Sequence, residues 1–409
     1  MKTFKLTLSK SKKYVLGCSY GPDSMFLLNA LYKGGYHFYV AHVNYHKREV
    51  SNLEQNCLKE YCKERNIPFY TKDVFPEEVK GNFQTWAREV RYAFFKEVLE
   101  KEHADAVAIA HQQDDHLETF LIQNQRGGYY SYYGIKEETI INGIKVIRPM
   151  LSLSKKDIVE FNDSHDILYA IDLSNLSDDY TRNQYRNHYL SEITNKERQE
   201  LLKQIDNKNK ELSKLIKEAS DTLKNRDYLT IDEVKKLDID KYAFLLFELI
   251  KKENIYISLS IKQLWSLYKM ASSKKANIEV KLNDEVSYFQ EYGEIRILKK
   301  YKPYSYVIKT PSLFECNEFL IDLSNGGEDR NIGFNDYPLT IRCRKENDKY
   351  LIKDYYSDVN RLFLDWKMPL HLRDVWPLIV NKDDKVIYIP RYRKNYKDEH
   401  KTLFKISLK

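Results

Sequence analysis

Four short segments of this chain hold residue types whose spacing suits chemistry on phosphate. The first is the polar turn Ser19-Tyr20-Gly21-Pro22-Asp23-Ser24, set between the apolar run Val15-Leu16-Gly17-Cys18 and the helix-like run Met25-Phe26-Leu27-Leu28-Asn29-Ala30-Leu31. A strand-to-helix turn presents unpaired backbone N–H groups and the positive end of a helix dipole, which together make a site for an anion. Ser19 and Ser24 add hydroxyls, Gly21 lets backbone approach a ligand, and the Asp23 carboxylate can hold a magnesium ion. The same residues also describe an ordinary capped turn.

In the second segment, His42-Val43-Asn44-Tyr45-His46-Lys47-Arg48, the period of two puts His42 and Asn44 on one strand face, with Arg48 just beyond. Imidazole and guanidinium together bind phosphate and stabilise charge leaving it; a structurally satisfied strand histidine is the alternative. The third runs from Asn82 to Phe95 and places Arg88, Arg91 and Phe95 at i, i+3 and i+7 of one helix. A solvated amphipathic face has the same pattern. The fourth, Ala110-His111-Gln112-Gln113-Asp114-Asp115-His116-Leu117-Glu118-Thr119, sets Asp115 and Glu118 at i, i+3 on a helix that follows a strand end. Such a pair suits a cation, either a metal ion or a substrate ammonium, although acidic residues also complement a helix N-terminus.

These segments need a frame that gathers strand ends. Residues 13 to 175 alternate strand and helix signals, with strands expected at Tyr14–Cys18, Phe38–Val43, Phe69–Val74, Ala106–Ala110 and Ile144–Ile147. Helices are expected at Ser24–Tyr32, Ser51–Arg65, Asn82–Glu102 and Asp115–Gln125. This rhythm predicts an α/β fold, a parallel doubly wound sheet whose ligands bind at the carboxyl ends of its strands. From Asn195 to Lys252 the pattern turns helical and highly charged, and Asn254 to Met270 reads as a further helix pair. Ile278–Leu282 with Glu294–Leu298 suggests a hairpin, and beyond Lys302-Pro303-Tyr304-Ser305 a small mixed domain is expected, with strands at Leu339–Arg344 and Val386–Pro390.

A chain of 409 residues exceeds one typical core, and 42% hydrophobic with 31% charged residues describes a globular protein rather than a disordered one. No apolar run approaches the ~20 residues of a membrane span, and the N-terminal residues lack the apolar core of a secretory signal; the expectation is a cytoplasmic protein without membrane partners. Cys18, Cys57, Cys62, Cys316 and Cys343 are odd in number and form no CxxC pair, so they read as reduced thiols rather than disulfides or a zinc site. The net charge of +7 is compatible with a polyanionic partner without demanding one.

Together, the order and spacing of these segments resemble the tRNA(Ile)-lysidine synthetases, members of the PP-loop family of ATP pyrophosphatases. Ser19 to Ser24 is similar to that family's SGGxDS loop, His42 to Arg48 to its HVxHxxR segment, Ala87 to Phe95 to AR-x-x-RY-x-F-F, and Ala110 to Thr119 to AHxxDDxxET. Arg148-Pro149-Met150-Leu151 resembles RPxL, and Asp172 through Arg186, with Asn175, Tyr180, Arg182 and Asn183, resembles a further family segment. Ile341-Arg342-Cys343-Arg344 and Lys367 through Leu378 are similar to its terminal domain. Three departures stand out. Tyr20 replaces the first loop glycine, which requires either a backbone without positive φ or a side chain turned away. Tyr45 stands where a second histidine is usual, with His46 displaced by one place, and Asn347 stands for a glycine before Asp348.

The resemblance implies a PP-loop, adenine nucleotide alpha hydrolase-like catalytic domain at 1–195, a helical linker and middle tRNA-binding domain at 196–302, and a small mixed α/β tRNA-binding domain at 303–409. It implies ATP, Mg2+, free lysine and an isoleucine tRNA with a CAU anticodon as partners, with a homodimer among the allowed assemblies. The implied reaction adenylates C2–O of the wobble cytidine, after which the lysine ε-amine displaces AMP. By position, Ser19, Tyr20, Gly21, Pro22, Asp23 and Ser24 would bind ATP, with Asp23 on the metal. His42 and Arg91 would contact nucleotide or activated base, Asp115 and Glu118 would grip lysine, and Arg342, Arg344 and Arg373 would contact tRNA phosphates. A PP-loop tRNA thiolase and an inactive tRNA-binding relative are the alternatives.

Overall fold

Alternation along the first strands decides the architecture. In β1 (Lys13–Gly17), Tyr14 and Leu16 enter one buried cluster and Val15 enters another. In β2 (His37–Asn44), Val40 and Ala41 divide in the same way. Strands buried on both faces are what a parallel sheet between two helical layers requires. A computed structural model describes residues 6–46, 50–75, 77, 79, 81–171, 185–254, 257–273, 277–300, 302–327, 332–392 and 404–406. Arg48, Asn175, Tyr180, Arg182, Asn183 and the Arg186 side chain lie outside the described residues.

The chain divides into two compact units, 1–213 and 214–409. The first continues with α1 (Pro22–Lys33), α2 (Ser51–Glu64), β3 (Phe69–Asp73), α3 (Phe83–Lys101), β4 (Ala106–Ile109), α4 (Gln113–Arg126), β5 (Glu138–Ile141), β6 (Ile144–Ile147) and α5 (Lys155–Ser164). Its sheet has the order β3-β2-β1-β4-β6-β5, parallel throughout except that β5 pairs antiparallel with β6. Residues of α1, α2 and α5 pack with the cluster around Leu16, and Tyr92, Phe94, Phe95 and Val98 of α3 pack with the cluster around Val15. The sheet is therefore doubly wound. Chain order reverses at β1, with β2 on one side and β4 on the other, and that switch point opens a crevice at their carboxyl ends.

The second unit holds a four-stranded antiparallel sheet, a six-stranded mixed sheet and a three-stranded sheet. The expected pairing of Ile278–Leu282 with Glu294–Leu298 is corrected here: Val286–Glu291 lies between the strands Ile278–Lys281 and Glu294–Lys299 and pairs with both. All six of its residues are buried, Ser287, Gln290 and Glu291 among them, so this central strand carries no polar alternation by which to read it. The charged stretch from Asn195 opens on a long helix of 28 residues. The helix Asn195–Thr222 ends before a short strand, Tyr228–Thr230, and a further helix covers Ile239–Lys252. Among the described residues no helix is long and apolar enough to cross a membrane.

Candidate active site

The Ser19–Ser24 turn is held by its own serines. The Ser19 amide donates to Ser24 Oγ at 3.2 Å, and Ser24 Oγ donates to the Gly21 carbonyl at 3.0 Å. Gly21 is the N-cap of α1 and has no side chain to offer, and Pro22 occupies the first turn without an N–H to satisfy. The first turn of a helix is where backbone amides lack intrahelical acceptors and an anion can be held. Gly17, the last residue of β1, permits the approach of α3: a Cβ there would meet Phe95 Cζ at 2.5 Å.

Tyr20 resolves the first departure from the glycine pattern. Its φ is +63°, the left-handed region that glycine takes without cost and a tyrosine takes at roughly 1–2 kcal/mol. Its side chain leaves the loop and is buried with Met25, Leu27 and Leu58, while its carbonyl accepts from the Ala170 amide at 2.9 Å. Burial beside Cys57, Cys18 and Glu54 pushes the phenol up to about 12. The loop thus keeps a glycine-like backbone, and the ring takes no place in the cleft lining.

A cleft of about 680 Å3 opens over the strand ends. Ser19, Asp23, Ser24, His42, Arg91 and Asp115 all line it, and so do Asn44, Tyr45, Glu54, Phe83, Arg88, Tyr92 and His111. Four segments that looked separately ambiguous meet here. The His42 ring is buried and its Nδ1 lies 2.9 Å from the Cys18 carbonyl, which can only accept. Nδ1 therefore carries the proton. Burial holds the imidazole pKa below its ordinary value, with the carbonyl hydrogen bond opposing, so the ring is neutral with its lone pair on Nε2. Tyr45, not His46, faces the cleft, its hydroxyl donating to the Ala87 carbonyl at 2.7 Å. His46 instead pairs with Asp73 at 2.9 Å and stacks on Phe75.

The acidic pair behaves otherwise than its spacing suggests. Asp115 lines the cleft and accepts from the Gln112 amide at 3.0 Å, closing a capping box at the start of α4. Glu118 is fully buried and is absent from the cleft wall. Three residues advance a helix to about 60° short of a full turn, and on α4 that offset carries Glu118 into the interior. Asp114 forms an ion pair with Arg198, whose Nη2 also donates to the Leu190 carbonyl at 3.1 Å.

Three residues outside the expected set take positions in or behind the site. Lys155, at the start of α5, places Nζ 2.7 Å from Asp23 Oδ1, while Asn162 of the same helix donates to the Pro22 carbonyl at 2.9 Å. A separation of 132 residues hid this partner. Arg148 is buried and its Nε donates to His111 Nδ1 at 3.1 Å, which leaves the His111 Nε2 proton in the neutral ring. Arg148 and His111 both sit in segments singled out by resemblance, and only their pairing was invisible. In the second unit, Arg342 and Arg373 are buried and internally bonded, to Asp348 and to the Met368 carbonyl respectively, so their expected phosphate contacts are not offered. Asn347 takes φ +67°, which asparagine tolerates in place of glycine. Arg344 pairs with Asp374 at the surface.

A parallel sheet with this turn at its switch point defines a PP-loop ATP-using domain, and the model of the PP-loop domain matches residues 1–193. Over the longer chain, the tRNA(Ile)-lysidine synthase of Mesoplasma florum is 31% identical across 367 residues, covering 86% of this chain and 87% of that one. Those of Mycoplasma mycoides subsp. mycoides SC and Staphylococcus aureus are each 29% identical across 412 residues, covering 95% and 92% of this chain and 99% and 92% of theirs. The chain belongs to the tRNA(Ile)-lysidine synthase family. A solved U34-tRNA thiolase from Methanococcus maripaludis is similar with a TM-score of 0.39 and 18% identity, over 50% of this chain and 74% of that one.

Proposed function

We propose that the protein joins lysine to C2 of the wobble cytidine in a CAU-anticodon isoleucine tRNA, using ATP and releasing pyrophosphate and AMP. The observation that carries this reading is that Asp23, His42, Arg91 and Asp115, from four separate segments, line one cleft. In the first step the cytidine O2 attacks the α-phosphorus of ATP, the α–β phosphoanhydride bond breaks, and pyrophosphate leaves. In the second, the neutral ε-amine of lysine attacks C2, the C2–O2 bond breaks, AMP departs with that oxygen, and the amine sheds its proton. Activation converts a poor leaving oxygen into a phosphate, and the cleft then supplies proximity.

Amides of the 19–24 turn and the Ser19 hydroxyl cradle phosphate, with Tyr20 contributing backbone alone and Ser24 joining by turning its hydroxyl proton from the Gly21 carbonyl to the anion. Among the described residues no cluster of three His, Cys, Asp or Glu side chains forms a cage for a resident metal. A magnesium ion that arrives on ATP needs only one or two carboxylates, and Asp23 at the phosphate turn fits it; when bound, the ion supplies charge neutralisation on the phosphates. His42 accepts through Nε2 from a nucleotide hydroxyl, and Arg91 takes charge on the transferred phosphate. Asp115 receives a lysine ammonium.

A sulfur-transferring alternative finds no support in the cysteines. Cys18 is the one cysteine on the cleft wall among the described residues, and burial pushes its thiol up to about 11, away from the thiolate that sulfur chemistry needs. Release of AMP is the test. Mixing enzyme with ATP, lysine and unmodified CAU-anticodon isoleucine tRNA should give turnover that stops when any one component is omitted; turnover indifferent to lysine sinks the reading.

A further inference from the structure

The third segment carries more than arginines. Phe83 and Trp86, on the first turn of α3, meet Tyr45 in an aromatic cluster at the cleft. The Tyr45 and Phe83 rings meet edge to face with centroids 5.8 Å apart, Tyr45 and Trp86 at 6.3 Å, and Phe83 and Trp86 at 6.1 Å. Tyr45 and Phe83 line the cleft, and all three rings are only half-buried. The α3 core is built further along by Tyr92, Phe94, Phe95 and Val98, apart from these three rings. The Tyr45 ring is fixed by its hydroxyl on the Ala87 carbonyl and lies 5.9 Å from the Arg91 guanidinium. Arg88 and Arg91, one helical turn further on, are exposed, line the same cleft, and make no ion pair among the described residues.

We propose that the Tyr45–Phe83 wall, backed by Trp86, is a stacking platform for the reacting pyrimidine base of a single-stranded RNA loop, with Arg88 beside it for the flanking RNA phosphate and Arg91 for the phosphate transferred to the base. The inference rests on the reading of the substrate as an RNA base. An enzyme that acts on a base must take it out of its stack, and aromatic faces replace the stacking so lost. A base tethered to a polymer brings a phosphate on each side, which suits half-exposed rings flanked by exposed guanidiniums. Free ATP carries its charge at one end only, and the 19–24 turn already answers it. Stacking is tolerant of base identity, so the platform positions the base and leaves recognition of cytosine to other groups.

The test compares an anticodon stem-loop RNA bearing the CAU loop with the same RNA made abasic at the cytidine. Both are titrated against wild-type enzyme, Phe83→Ala, Phe83→Leu and Trp86→Leu, with ATP affinity measured alongside. The wild type should bind the intact loop roughly 5- to 100-fold more tightly than the abasic one. Phe83→Ala and Phe83→Leu should lose most of that difference while binding the abasic loop and ATP as the wild type does, and Trp86→Leu should lose a smaller share. Phe83→Leu keeps apolar bulk, so it reports the aromatic face even where the alanine variant fails to fold. The platform is overturned if the leucine variant keeps the wild-type preference, if the wild type binds both loops equally, or if ATP binding weakens instead, which would make the wall an adenine site. Failure of the ligase reading shows separately, as lysine-independent AMP release with the loop preference intact.

Discussion

Arg88 and Arg91 on α3 and Arg342 and Arg373 in the second unit use the guanidinium in opposite ways. On α3, Arg88 and Arg91 are exposed in the cleft, each resting against a tyrosine ring, at 4.8 Å from Tyr92 and 5.9 Å from Tyr45. In the second unit Arg342 is 4% exposed and bonds Asp348 with both terminal nitrogens, at 2.7 and 2.8 Å, and Arg373 is 5% exposed on the Met368 carbonyl. A buried guanidinium must find its partners inside the protein, because its desolvation is otherwise uncompensated. An exposed one supported by a ring keeps its donors for a ligand. Both kinds fall in segments similar to family motifs, so resemblance alone does not separate a binding arginine from a structural one.

The largest expected effect lies on the buried side. Arg342→Met strands Asp348 and should cost about 3–5 kcal/mol in urea unfolding, whereas Arg91→Ala should stay within about 0.5 kcal/mol of wild type. Equal stability losses would erase the comparison. In activity the order reverses: Arg91→Ala should lower lysine-dependent AMP release by roughly 10- to 100-fold through loss of a charge-assisted contact.

Acid sharpens the same contrast. Burial raises the Asp348 carboxyl, but hydrogen bonds from Arg342 and the Lys345 amide outweigh it and hold the pKa below the ordinary value. A carboxyl with a depressed folded pKa contributes stability above its unfolded value near 4, and that contribution is lost as pH falls through the folded value. Arg342→Met should flatten that part of the stability profile, and Arg91→Ala should leave it unchanged. Lys155 tests the cleft side. Its pair with Asp23 is part-exposed, so Lys155→Met should change stability by less than about 1 kcal/mol. With its competitor gone, Asp23 should respond to magnesium at roughly two- to fivefold lower concentration, read from AMP release against added magnesium. The smallest effect belongs to Arg344→Ala, whose surface pair with Asp374 should be worth about 0.5 kcal/mol or less by thermal unfolding.

The first unit was legible because its information is local. Apolar runs ending in polar turns marked β1 through β4 and β6 to within two residues, and the same turns named the loops that meet in the cleft. What escaped depends on contacts between distant residues. Lys155 reaches Asp23 across 132 positions, and Arg148 reaches His111 across 37. The Asp115–Glu118 spacing marked the helix but not which side of it faces the cleft: Asp115 lines the cleft, and Glu118 lies buried behind it. Val286–Glu291 was hidden because burial on both faces removes the alternation that exposes a strand. Tyr20 required the structure outright, since no sequence pattern says that a tyrosine will take glycine's φ and send its ring into the core.

The cleft between the 19–24 turn and α3 couples ATP to lysine on a tRNA base. Mass spectrometry of the wobble nucleoside, after incubation of CAU-anticodon isoleucine tRNA with enzyme, ATP and isotopically labelled lysine, tests it most directly. The wild type should leave a labelled lysine covalently attached to that cytidine, and Asp23→Asn should not. An unmodified cytidine after incubation with the wild type, or a base carrying sulfur instead, would contradict that coupling.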